Sequence, residues 1–154
     1  MTGLDTATGA PRIAIFTHDT FGLGHVRRCL HFIRALSEQA PEASLLLVTG
    51  SPAFPAMVGL PANADIVKIP TIAKTGAPEH RPPHLPLPVK QVSHIRSAII
   101  RQTVDSFDPD VFLVDNFPLG SRRELRPTLE MLSGRRTRTV LGLRDILGKA
   151  ERVR

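Results

Sequence analysis

Short apolar runs that alternate with longer amphipathic segments are the feature that most restricts the fold of this chain. The runs are rich in β-branched residues and apolar at successive positions, as are strands buried on both faces of a sheet. They occupy residues 12–17, 45–49, 66–69, 111–114 and 139–143. Because parallel strands need crossover connections, this alternation predicts an α/β fold, a Rossmann-like parallel sheet with helices on both faces.

The first two segments between the runs carry apolar residues at helical spacing. The first segment ends at Pro41 and has Cys29 on its apolar side, so we expect a packed thiol there rather than a nucleophile. The second segment spans residues 89–107. Its inner side is predicted to consist of Val92, Ile95, Ile99 and Val104.

A third helix is predicted before the last strand. Ser121 and Glu124 have the spacing of a helix capping box, although Pro127 also suits a first turn and leaves the start of the helix open. The apolar stripe of this helix is predicted to be Leu125, Leu129 and Leu132. Prolines crowd into residues 71–88, which predicts a long surface loop without regular structure.

Composition narrows the possible partners. The chain has 20 Lys+Arg against 14 Asp+Glu and a formal net charge of +6, which would suit an anionic partner. It has no Trp and no Tyr to stack on bases, so we expect no nucleic-acid partner. The densest basic cluster, residues 135–138, is interpreted as a solvated turn. Contact with phosphate or an anionic membrane surface stays open.

Cysteine content and hydropathy bear on location. A single cysteine excludes an intramolecular disulfide framework and a cysteine-built zinc site, and it fits a reducing compartment. No apolar run approaches the roughly 20 residues of a membrane-spanning helix, and residues 1–11 lack the features of a secretory signal. We therefore expect a cytoplasmic protein, with peripheral contact at the inner face of the membrane left open.

The domain organisation follows from the same pattern. Residues 1–10 are expected to be disordered, and residues 11–147 to form one Rossmann-like domain. Residues 148–154 are expected to begin a linker.

Polar and titratable residues follow three of the predicted strands. In folds of this class, ligands bind at the carboxyl ends of the strands. These ends carry His18, Asp19 and His25 after the first strand, Asp115 and Asn116 after the fourth, and Arg144 and Asp145 after the fifth. The pattern favours a functional site there; the alternative is that polar residues are simply common at strand ends.

The glycine-bearing turn before the first helix suggests an anion-binding turn. Gly22 and Gly24 precede a helix N-terminus, where free backbone N–H groups favour an anion. The dinucleotide fingerprint fails because its third glycine would fall at Arg27, and no acidic residue ends the second strand. A P-loop is absent, since Ala150 stands where Ser or Thr is required. We therefore expect no nicotinamide or other cofactor, and we assign no metal ligands.

The same turn delivers His25 to the first turn of the helix. The helix dipole disfavours the charged imidazole there, which makes a neutral, proton-accepting histidine plausible. A general base needs an orienting carboxylate, and Asp115 is the candidate, with His18 and Asp19 as alternatives. A His25 that only bonds to the backbone is the other interpretation.

The stretch H-D-T-F-G-L-G-H-V-R-R-C, residues 18–29, resembles the G-x-G-H turn that opens the N-terminal domain of GT-B glycosyltransferases. Within that fold, the stretch resembles the group of the lipid-II-forming N-acetylglucosaminyltransferase and its bacterial relatives, which are usually described as predicted glycosyltransferases. Further matching segments are residues 45–52, 107–115 and 140–147. The resemblance covers nearly all of the chain from about Pro11 onward.

This resemblance implies an acceptor-binding domain in which His25 deprotonates the acceptor hydroxyl and Asp115 assists. The activated oxygen would attack the anomeric carbon of a nucleotide sugar without a bound metal. The residues expected to contact substrate are His18, Asp19, Gly22, Gly24, Asn116, Arg144 and Asp145. Because the nucleotide-sugar donor binds mainly to a second Rossmann-like domain in this family, we expect a partner polypeptide or domain and little activity without it.

Two other functions stay open. Hydrolases of nucleotide-activated amino sugars share a G-x-G-H-x-x-R-C segment that residues 22–29 match, and their histidine would activate water. The chain could also be a non-catalytic docking subunit of a split glycosyltransferase, in which case His25 and Asp115 would be idle. The acceptor, the donor sugar and the nucleotide are not encoded in these motifs.

Overall fold

The computed structural model of the protein describes residues 9–18, 24–52, 59–74 and 80–143. Its strands are β1 (Arg12–Thr17), β2 (Ser44–Thr49), β3 (Ala64–Lys68), β4 (Ala73–Lys74), β5 (His80–Arg81), β6 (Val111–Asp115) and β7 (Arg138–Gly142). Its helices are α1 (Gly24–Gln39), α2 (Val89–Phe107) and α3 (Arg126–Leu132). The expected N-terminal segment falls almost entirely outside the described residues, and the expected linker falls wholly outside them.

Five strands form one parallel sheet in the order β3-β2-β1-β6-β7. The chain builds outward from β1 to β3, returns to the centre through α2, and then builds outward on the other side. The strand order therefore reverses between β1 and β6, and the carboxyl ends of these two strands flank the crevice where ligands bind in such sheets. The predicted Rossmann-like α/β fold is confirmed.

Side chains alternate between the two faces of the sheet, and each face has its own core. On one face, Ile15 of β1 packs with residues of α1, including Ile33. On the other, Phe16 packs with residues of α2 and the segment leading into α3, including Ile100 and Leu125. These side chains are fully buried, and each contributes about 1.5–3 kcal/mol through removal of apolar surface from water. The helices thus lie on both faces, as predicted.

The buried side of α2 differs from the prediction. Val92 and Val104 are buried as expected, but the positions between them are Arg96 and Ile100, while Ile95 and Ile99 are only half-buried. The prediction was wrong at the two middle positions because it placed only apolar residues on the buried side of the helix and so excluded Arg96. The spacing 92, 96, 100 and 104 is equally helical, and Arg96 is tolerated inside because its charge is paired.

Arg96 joins three segments at the carboxyl edge of the sheet. Its Nε donates to Oε2 of Glu124 at 2.5 Å, and its Nη2 donates to Oε1 at 2.8 Å. Its Nη1 donates to the carbonyl of Pro70, the second residue after β3. Both charged side chains are fully buried. The pair therefore ties α2 to the connection between β6 and α3.

The predicted capping box is half formed. Oε1 of Glu124 accepts a hydrogen bond from the backbone N–H of Ser121 at 3.2 Å. Residues Ser121–Arg123 form a 3₁₀ turn rather than the start of the helix, and α3 begins at Arg126 with Pro127 in its first turn. Oε1 of Glu124 accepts a hydrogen bond from Arg96 as well, at 2.8 Å, so the same oxygen serves both partners.

The proline-rich segment contains a short hairpin-like pair. β4 and β5 are antiparallel, so the prediction of a segment without regular structure is wrong for these residues. The four prolines of residues 80–88 all follow β5, where no ladder N–H is needed. No helix among the described residues combines the length and apolar character needed to cross a bilayer.

Candidate functional site

Three titratable side chains meet at the point where the strand order reverses. His18 is the first residue after β1, His25 lies in the first turn of α1, and Asp115 is the last residue of β6. Nδ1 of His25 is 2.6 Å from Oδ2 of Asp115. The ring centroids of His18 and His25 are 4.7 Å apart at an interplanar angle of 67°, an edge-to-face arrangement. Of the candidate site residues, the topology therefore brings these three together.

The contact between His25 and Asp115 fixes the tautomer of the imidazole. An ionised carboxylate only accepts hydrogen bonds, so the proton of a neutral His25 lies on Nδ1 and is donated to Asp115. The other ring nitrogen, Nε2, then keeps its lone pair. The side chain of His25 is 10% exposed and that of Asp115 is 0% exposed. The pair is thus a nearly buried dyad in which the carboxylate engages Nδ1 of the imidazole and not Nε2.

The start of α1 explains the position of His25. The helix begins at Gly24, so His25 stands among the backbone N–H groups that have no partner within the helix. Gly24 itself is exposed, and a Cβ built on it would meet nothing within 4 Å. Its lack of a side chain is therefore not required by packing against the described residues. Its predicted contact with substrate stays a prediction.

The turn after β6 holds Asp115 in place. Asn116 has φ = 63°, a left-handed conformation that asparagine tolerates, and its N–H donates to the carbonyl of Gly142 at 2.8 Å. The N–H of Phe117 donates back to the carbonyl of Asp115 at 2.8 Å. Asn116 thus contributes its backbone to the site. Its side chain is half-buried at the same edge of the sheet.

Arg28 is a site residue that the sequence analysis did not select. Its Nη1 lies 3.4 Å from Oδ1 of Asp115, and its Nη2 donates to the carbonyl of Leu143 at 2.8 Å. A usable signal was present, because residues three apart lie on the same side of a helix and Arg28 follows His25 at that spacing.

Phe117 is a second site residue that the sequence analysis did not select. Unlike Arg28, it had no sequence signal. Its ring centroid is 4.3 Å from that of His18, at 69°. Its side chain is 48% exposed, while His18 is buried. An exposed aromatic residue in a turn is not distinguishable by pattern from an ordinary surface residue. Phe117 therefore adds an apolar surface beside the two histidines.

Cys29 is packed, as predicted. It is buried against the α1 side of the sheet together with Ile33 and Leu47. Burial raises the pKa of the Cys29 thiol to about 12, and the negative charge of Asp115 acts in the same direction. The thiolate is the nucleophilic form of cysteine, so this residue is chemically inert at neutral pH.

Four candidate site residues, Asp19, Gly22, Arg144 and Asp145, lie outside the described residues, so their predicted contacts with substrate stay predictions. The basic cluster at residues 135–138 leads into β7 and includes its first residue, so it lies at the opposite edge of the sheet from the dyad. There, Arg135 is paired with Asp105 and Asp108. This pairing suits the solvated turn that was predicted.

The described residues include no group of three or more His, Cys, Asp and Glu side chains arranged to hold a metal ion. No protein-family model matches this chain, and no curated protein matches it either.

Proposed function

We propose that this chain is the acceptor-binding, base-bearing part of a glycosyltransferase. It would move a sugar from a nucleotide-sugar donor to the hydroxyl of an acceptor. The observation that carries this proposal is the 2.6 Å contact between Nδ1 of His25 and Oδ2 of Asp115 at the carboxyl edge of the sheet. The resemblance of residues 18–29 to the G-x-G-H turn of GT-B enzymes supplies the reaction class.

Nε2 of His25 acts as the general base in this proposal. It takes the proton of the acceptor hydroxyl while the oxygen forms a bond to the anomeric carbon of the donor sugar. The bond between that carbon and the phosphate oxygen breaks, and the nucleoside diphosphate leaves with the electron pair. His25 becomes an imidazolium, and its Nδ1–H stays on Asp115.

Asp115 orients the base and stabilises the charge that develops on it. Because its side chain is 0% exposed, its charge is poorly screened by water and acts strongly on the imidazolium. It also holds the ring so that Nε2 rather than Nδ1 faces the acceptor. Asp115 is therefore expected to affect turnover more than acceptor affinity.

A second nucleotide-binding domain or polypeptide completes the site in this proposal, as the GT-B resemblance implies. The donor would lie between the two parts, with its anomeric carbon near His25. A cytoplasmic location belongs to the same proposal.

The test is a transfer assay on the chain combined with its nucleotide-binding partner domain. Release of nucleoside diphosphate is measured for a panel of nucleotide sugars, with and without a hydroxyl acceptor. His25→Ala is expected to lower turnover by about 10²–10⁴-fold, the usual contribution of a general base. Arg27→Met is the matched control, because Arg27 is exposed on the same turn of α1 and forms no hydrogen bond or ion pair with His25 or Asp115.

Other outcomes would overturn the proposal. Normal turnover in His25→Ala would remove the base and favour the docking-subunit function. Equal release of sugar without any acceptor, lost in His25→Ala, would instead identify a hydrolase that uses the same dyad.

A further inference from the structure

We propose that Arg28 is a positioning residue that keeps His25 neutral, and therefore basic, by balancing the charge of Asp115. The inference rests on the proposed function, in which His25 is the base. Arg28 would be a third member of the cluster formed by His25 and Asp115. Its role would be to set the protonation state of His25 before substrate binds.

The two oxygens of Asp115 have different surroundings. Oδ2 accepts the hydrogen bond of His25 at 2.6 Å. Oδ1 is buried and, within the described part of the chain, accepts no hydrogen bond. Nη1 of Arg28 lies 3.4 Å from this oxygen, close enough for a charge interaction without the geometry of a hydrogen bond. The carboxylate is thus shared between an imidazole and a guanidinium.

Arg28 is held against Asp115 by contacts of its own. Its Nη2 donates to the carbonyl of Leu143 at 2.8 Å, just after β7. Its guanidinium lies over the ring of Phe32, 5.3 Å from the ring centroid. A Cβ at residue 142 would come within 3.3 Å of Nη2, so Gly142 leaves the room that this position needs. The side chain is only 26% exposed.

The balance of charge around Asp115 is the reason that Arg28 would affect the protonation of His25. A buried carboxylate without a counter-charge is strongly unfavourable, so Asp115 requires a cation beside it. Among the described residues, the guanidinium of Arg28 lies beside it, and a protonated His25 would supply the other positive charge. While Arg28 supplies the charge, His25 keeps its lone pair on Nε2. Without Arg28, the carboxylate would draw a second proton onto His25, and the resulting imidazolium has no basic nitrogen.

Two other titratable side chains among the described residues face the dyad. His18 contacts the ring of His25 from the end of β1 through an edge-to-face arrangement. The Cys29 thiol lies near Asp115 on α1 and is neutral, because burial raises its pKa to about 12. Among the described residues, Arg28 is therefore the permanent cation paired with Asp115.

The protonation state of His25 can be measured without any substrate. NMR of the ring nitrogens in isotopically labelled protein distinguishes the neutral tautomers from the imidazolium. Near neutral pH, Arg28→Met is expected to raise the ratio of imidazolium to neutral imidazole at His25 about tenfold, the effect of roughly one unit of altered proton affinity. Arg28→Lys, which keeps a positive charge, is expected to stay near the unmodified protein. Arg27→Met is the matched control and is expected to change nothing.

Each outcome bears on the inference. An unchanged imidazolium fraction in Arg28→Met, or an equal rise in Arg28→Lys, would overturn the role of the charge. If Arg28→Met does not fold, Arg28→Gln replaces it, because glutamine keeps a polar side chain with N–H donors and carries no charge. A proton on Nε2 of the unmodified protein would contradict the proposed dyad itself, and so the failure of the base and the failure of Arg28 are separately visible.

Discussion

Among the described residues, two ion pairs that each contain a buried carboxylate lie at the carboxyl edge of this sheet, one on each face, and they differ in how completely that carboxylate is hydrogen-bonded. On the α2 face, the guanidinium of Arg96 meets Glu124 through two hydrogen bonds, and both side chains are fully buried. On the α1 face, Asp115 is shared between His25 and Arg28, and Oδ1 lacks a hydrogen bond from any described residue. In the first pair both carboxylate oxygens are hydrogen-bonded to the guanidinium, whereas in the second the carboxylate engages only Nδ1 of His25, which under the proposed function leaves Nε2 to act as the base.

The comparison predicts that substitutions in the two pairs separate stability from activity. Asp115→Asn is expected to lower transfer by about 10⁴-fold, because asparagine does not hold His25 in the required tautomer and does not stabilise the imidazolium. Turnover of the combined protein measures this effect. The free energy of unfolding, from urea denaturation, serves as the control and should change little. Full activity in Asp115→Asn would place the chemistry elsewhere.

The α2 pair is expected to behave in the opposite way. Arg96→Met leaves Glu124 buried and without its guanidinium, so we expect a loss of about 3–5 kcal/mol in the free energy of unfolding. The double variant Arg96→Met/Glu124→Leu buries no charge and is expected to recover most of that loss. Urea denaturation of the single and double variants measures both. A double variant as unstable as the single one would show that the loss comes from packing rather than from the unpaired carboxylate.

Cys29 is a third buried ionisable group, and it is expected to make the free energy of unfolding depend on pH. Its pKa is raised from 9.0 to about 12, so its contribution to stability is fully present below pH 9 and is lost as pH rises toward 12. We expect the free energy of unfolding to fall by about 1 kcal/mol between pH 9 and pH 10 from this residue alone. Cys29→Ala should remove that part of the slope. An identical slope in both proteins would assign it to other groups.

The smallest effect is expected for the stability of Arg28 variants. Arg28 is partly exposed, and His25 can replace its charge by taking up a proton, so Arg28→Met should cost less than about 1 kcal/mol in the free energy of unfolding. A small loss of stability in Arg28→Met and a large loss in Arg96→Met would show that the two arginines contribute differently to the free energy of unfolding. A loss as large as that of Arg96→Met would mean that Arg28 is chiefly structural.

The sheet and the pairing of His25 with Asp115 could both be predicted from the sequence, and for the same reason. Strands buried on both faces are marked by continuous apolar runs, and parallel strands end at a common edge. The residues that follow those runs, His18 and Asp115, could therefore be expected to meet His25. The coordinates show that they do.

The contacts of Arg96 and Arg28 could not be predicted from the sequence in the same way. Arg96 occupies an inner position of α2 that a hydrophobic pattern assigns to apolar residues, and its partner Glu124 lies 28 positions away. The role of Arg28 depends on the carbonyl of Leu143, which is 115 positions away. Pairings across such distances depend on the final packing, and the sequence signal for Arg28 was limited to its spacing of three residues from His25 on the same side of α1.

The availability of Nε2 on His25 is tested most directly by NMR of the ring nitrogens in the unmodified, isotopically labelled protein near neutral pH. We predict a neutral imidazole whose single proton lies on Nδ1 and which changes to the other tautomer in Asp115→Ala. A single proton on Nε2 in the unmodified protein would contradict the proposed base, since that nitrogen would then have no lone pair to accept the acceptor's proton.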